Sequence, residues 1–171
     1  MKLIATLIIA SLAMTLSKSD NDITYYNDCS AQLIVEKGRN SKSADEDGAQ
    51  FILVLTNTSN AKRTFNLSSK NLSEPCGNKT QYNRRSNSTS TVLDVSFQNN
   101  NLNRNRENTA SNKDIVLESG ESYKFIVNAI APKGTPLNTW SCIEIEAKST
   151  DCKSVSETQI LSVYVVDPNE G

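Results

Sequence analysis

Within residues 115–147, apolar side chains recur at every second position, at Tyr123, Phe125, Val127 and Ala129. Gly120 interrupts the chain before that run, and Pro132, Gly134 and Pro136 interrupt it afterwards. Period-two alternation bounded by turn residues predicts a half-buried antiparallel strand. The order along this stretch is strand, turn, long strand, Pro-Gly loop, strand.

The same reading extends over the rest of the chain. Residues 31–37 read as a first strand, with a short extended piece at 23–26 before it. Residues 38–48 read as a polar, charged loop. Residues 50–57 carry the strongest strand signal: Phe51, Leu53 and Leu55 lie on one face, Ile52 and Val54 on the other. Apolar residues on both faces suggest a central place in a sheet. A third strand covers 63–68, with Phe65 and Leu67 on one face. Long loops rich in Asn and Ser follow at 69–90 and 99–113, separated by a strand at 91–98 with Leu93, Val95 and Phe97 on one face. Residues 115–117 form a short strand and 122–131 a long one. In the strand at 139–148, Ile143, Ile145 and Ala147 point inward, and Cys142, Glu144 and Glu146 outward. A last strand at 157–166 offers Leu161, Val163 and Val165 to the core. No segment has convincing helical periodicity. Seven or eight short strands separated by turn signals predict an all-β, antiparallel Greek-key β-sandwich.

The first residues have a different character. Lys2 is the only charge before an apolar run over 3–16. That run is short for a bilayer span and suits a secretory leader. The expected organisation is a signal peptide at 1–19 and one sandwich domain at 20–171, exported to the periplasm, cell surface or medium, with no stable membrane span after cleavage. The remaining chain is long enough to bury a real core.

Composition narrows the chemistry. The net charge is -1, which gives no whole-chain field to attract nucleic acid. Histidine is absent, which removes Ser-His-Asp and Cys-His catalysis and imidazole-based zinc sites. No nucleophile motif stands in its place, so neither an enzyme nor a cofactor is expected. The four cysteines, Cys29, Cys76, Cys142 and Cys152, suggest two disulfides in an exported chain. Three pairings are open. The sequence-local one joins Cys29 to Cys76 and Cys142 to Cys152; free thiols are the alternative. Their spacing does not suit zinc.

The remaining candidates are weaker signals. Asp45, Glu46 and Asp47, with Asp20, Asp22 and Asp28, could offer oxygen ligands, but EF-hand spacing is absent and a solvated loop is the better reading. Glu144 and Glu146 read as surface charge. Arg84 and Arg85 in one long loop, with Arg104 and Arg106 in the other, could form a cationic surface if the loops met at one end of the sandwich. Trp140, the single tryptophan, groups by parity with Cys142 and reads as a strand-end residue or as part of a sugar platform with Tyr82 or Tyr164. Sequons stand at Asn57, Asn66, Asn71, Asn78 and Asn87.

Three segments in order carry a resemblance: FILVLTNTSNAKRTFNLS from Phe51, IVLESGESYKFIVNAIAPKGT from Ile115, and CIEIEAKS from Cys142. They resemble the bacterial fibronectin type III-like or immunoglobulin-like modules found beside secreted glycosidases and in surface proteins. In those modules a strand ends in Thr-Asn, another follows Gly-Glu-Ser, and a P-x-G-T loop leads into the penultimate strand. The resemblance implies a non-catalytic module with a structural, adhesive or protein-binding role at the cell surface. A carbohydrate-binding module is the alternative, so the expected partner is a protein or a glycan. The long loops and the four cysteines depart from the compact modules.

Overall fold

The computed structural model describes residues 29–45, 47–73, 92–99 and 114–167. Nine strands form among them: β1 (Ala31–Val35), β2 (Ser41–Ala44), β3 (Ala49–Asn57), β4 (Arg63–Leu72), β5 (Asp94–Asn99), β6 (Ile115–Leu117), β7 (Ser122–Ile130), β8 (Thr139–Ser149) and β9 (Ser156–Val165). They make a four-stranded sheet in the order β1-β3-β7-β5 and a five-stranded sheet in the order β2-β9-β8-β4-β6. Setting β2 and β6 aside leaves seven strands whose chain order, four in one sheet and three in the other, is that of an immunoglobulin-like sandwich.

The alternation seen in the sequence builds the core. Phe51, Leu53 and Leu55 of β3 and Phe125 and Val127 of β7 face Phe65, Ile143, Ile145, Leu161 and Val163 across the gap, all of them buried. Burial of each such side chain contributes about 1.5–3 kcal/mol. The central place expected of β3 is what forms, with β1 on one side and β7 on the other.

Eight of the nine strands lie where periodicity puts them, and the departures have local causes. β2 falls inside the expected 38–48 loop and runs parallel to β9. Its four residues, Ser-Lys-Ser-Ala, show no alternation, so it owes its form to backbone pairing with β9. Lys42 is opposite the core residue Val163, and its ammonium donates to the Gln50 carbonyl and sits 5.4 Å from the Phe51 ring centroid. An inward-pointing lysine on an edge strand is a known guard against edge-to-edge aggregation. β4 runs four residues beyond the expected 63–68, because residues 69–72 pair with Ile145 through Cys142 of β8. β1 stops at Val35, where a single 3-10 turn begins with Lys37 at φ 59°. The expected extended piece at 23–26, the leader and most of both long loops lie outside the described residues.

Gly48, immediately before β3, has no substitute. Its φ is +85°, and a Cβ there would lie 2.6 Å from the Ala129 carbonyl oxygen. Only glycine permits this close approach of β3 to β7.

A disulfide joins Cys29, just before β1, to Cys152, in the turn between β8 and β9, across 123 residues of sequence. It ties an edge of the four-stranded sheet to the opposite sheet. This overturns the sequence-local pairing of Cys142 with Cys152. Cys142 sits mid-strand opposite Ser162, and seven extended residues, about 23 Å, separate it from the end of β8. A disulfide needs Cα atoms within about 7 Å. Cys142 is itself disulfide-bonded, and Cys76 lies outside the described residues. Cys142 has the outward parity expected of it but is only 2% exposed.

Candidate binding surface

The two outer faces of the sandwich differ in chemistry. On the five-stranded sheet, the register aligns Ser68, Glu146 and Thr158 in one row, and Lys70, Glu144 and Ile160 in the next. Glu146 accepts hydrogen bonds from the Ser156 hydroxyl at 2.6 Å and the Ser68 hydroxyl at 3.2 Å. The Ser156 hydrogen bond, more than any other contact, holds this carboxyl below its usual range. Glu144 and Glu146 are half-buried on this outer face, with Glu146 held by hydroxyls of the two neighbouring strands.

The opposite end of that face holds Trp140. Its ring meets Tyr164 at a centroid distance of 5.1 Å and a tilt of 47°. The Tyr164 hydroxyl donates to Asn138 Oδ1 at 3.0 Å, and the Asn138 amide donates to the Val165 carbonyl at 2.7 Å. Tyr164 is buried and Trp140 half-buried. The parity assigned to Trp140 is the observed one, but its ring is packed against a neighbour that is itself tied down. Arg84, Arg85, Arg104, Arg106 and Tyr82 lie outside the described residues.

The outer face of the four-stranded sheet is aliphatic at its centre. Register places Ile34, Val54 and Lys124 in one row, Ile52, Ile126 and Gln98 in the next, and Gln50, Asn128 and Ser96 in a third. Ile34 is 43% exposed and Ile130, at the end of β7, 45%. Ile52, Val54 and Ile126 between them are half-buried. Gln32, Gln50, Ser96 and Gln98 are exposed around this centre. Lys124 Nζ meets Glu36 Oε1 at 2.6 Å on the same face, and this hydrogen bond holds the Glu36 carboxyl below its usual range.

Asn128 stands out in this setting. It is only 7% exposed, and among the described residues neither Nδ2 nor Oδ1 has a hydrogen-bond partner. Leaving a buried polar group unsatisfied costs about 1–3 kcal/mol. An unpaired amide beside an aliphatic patch is therefore a feature the fold tolerates at a cost to its own stability.

Strand parity taken one strand at a time does not single this face out, although its signal is present in the sequence. Ile52 and Val54 by themselves predict only a central strand. Ile126 and Ile130 share the outward parity of β7, and placing β7 beside β3 would have joined the two sets.

Other sequence candidates resolve into structure. Asp45 Oδ1 accepts the Asp47 amide at 3.1 Å, and the Asp45 carbonyl accepts the Gly48 amide at 3.0 Å, so this acidic stretch caps its own turn. Among the described residues no group of three His, Cys, Asp or Glu is placed to hold a metal ion. Two of the described sequon asparagines have their amides committed inside the fold. Asn57 Nδ2 donates to the carbonyls of Ala61, Leu117 and Glu118, and its Oδ1 accepts from Ser59. Asn71 bonds both the amide and the carbonyl of Leu93, each at 3.0 Å, and so fastens the end of β4 to the approach to β5. Asn66 is exposed. No helix among the described residues is long and apolar enough to cross a membrane.

No family model matches the chain, and no curated protein matches it. Solved structures do resemble its fold. A FixG-related protein from Vibrio parahaemolyticus is 13% identical, with a TM-score of 0.45 over 81% of this chain and 97% of that one. PapD-like domain 7 of human CEP192 is 13% identical, with a TM-score of 0.43 over 90% and 97%. The periplasmic chaperone SfaE is 10% identical, with a TM-score of 0.44 over 81% and 58%. These are likenesses of overall shape, and no activity or partner is carried over from them.

Proposed function

We propose that this chain is an exported, non-catalytic immunoglobulin-like module that binds a protein partner through the outer face of its four-stranded sheet. The observation that carries this reading is the aliphatic centre formed by Ile34, Ile52, Val54 and Ile126 within a rim of Gln32, Gln50, Ser96 and Gln98. Apolar centres with polar rims are the anatomy of protein interfaces. On the opposite face, among the described residues, exposed Ile160 stands beside Glu144 and Lys70 rather than in a row of aliphatic neighbours. Export is supported by the apolar run at 3–16, which suits a secretory leader, and by the Cys29–Cys152 disulfide, a bond that persists in oxidising compartments. The absence of histidine supports a non-catalytic role. The likeness of residues 51–68 and 115–135 to secreted fibronectin type III-like modules supports a surface or extracellular setting.

The carbohydrate reading draws on a single half-buried tryptophan whose neighbour Tyr164 has its hydroxyl bonded to Asn138. That is a weaker basis than a whole sheet face.

The test places a photoactivatable benzoylphenylalanine at Ile34, at Ile126 or, on the opposite sheet, at Ser68, in the full chain in its native cells. A discrete adduct is expected from Ile34 and Ile126, absent from Ser68, and lost on adding Val54→Lys. Equal adducts from both faces, or none from Ile34 and Ile126, would overturn the assignment. Heat on titration with a glycan panel, abolished by Trp140→Ala, would favour carbohydrate binding instead.

A further inference from the structure

We draw no further inference here: the strongest candidate, the outer edge of β5 with Val95 and Phe97 half-buried beneath it, leads directly into residues 100–113, and nothing in the structure shows what covers it.

Discussion

Replacing Cys29 and Cys152 together by serine tests how the two sheets are held. The bond closes a separation of 123 residues. Chain entropy for a loop of that length gives about 5 kcal/mol of stabilisation through the unfolded state. A second crosslink through Cys142 already restrains the unfolded chain, so the expected loss is smaller, about 3–4 kcal/mol. Urea unfolding under non-reducing conditions, followed by Trp140 fluorescence and far-UV circular dichroism, would read it. The two probes should coincide if the domain unfolds in one step. A loss of this size corresponds to a Tm lower by roughly 10 °C. Hydrogen exchange adds a local readout. Cys29 anchors β1, a five-residue edge strand, so amides of Ala31–Val35 should lose protection before those of β8. A loss below about 1 kcal/mol would refute the entropic argument. A non-reducing peptide map linking Cys142 to Cys152 would refute the pairing itself.

Asn57→Ala should destabilise by about 2–4 kcal/mol in the same urea assay, since it strands a buried acceptor at Leu117 and a part-buried one at Ala61; a change under 0.5 kcal/mol would show that water replaces the amide. Asn128→Leu should be neutral or stabilising by about 1 kcal/mol in the urea assay, because no partner among the described residues is lost; a clear destabilisation would reveal a bond to Asn128. Glu36, Glu146 and Asp151 all have lowered pKa values, so their contribution is present above the ordinary carboxylate range and is lost as pH falls through their folded values. For Asp151, burial is the largest single influence and pulls upward, but the Ser149 hydroxyl, the Thr64 amide, its own amide and the Arg63 charge together lower it. The urea midpoint should thus fall on acidification from pH 6 to pH 3, with a smaller fall in Glu146→Gln; a midpoint independent of pH would contradict the assignment.

Much of the sandwich was legible because inward residues alternate where strands are long. Phe51, Leu53 and Leu55, or Ile143, Ile145 and Ala147, declare a face on their own. β2 was not legible, since Ser41–Ala44 form a strand only by pairing with β9. The end of β4 was hidden for the same reason, with exposed Ser69 and Lys70 held by β8. The binding face was half legible. Outward Ile52 and Val54 can be read from β3 alone, but only the β3–β7 register sets Ile126 beside Ile52 and turns separate aliphatic residues into one patch.

By itself, the sequence determined the all-β class, most strand positions and the exclusion of histidine chemistry, because side-chain periodicity and composition are local properties. Tertiary structure decided that Cys29 meets Cys152, that the Asn57 amide is buried in its own turn, and which outer face is aliphatic. Each depends on which strands become neighbours, and pairing between distant strands is set by the burial of the whole core rather than by any segment of it.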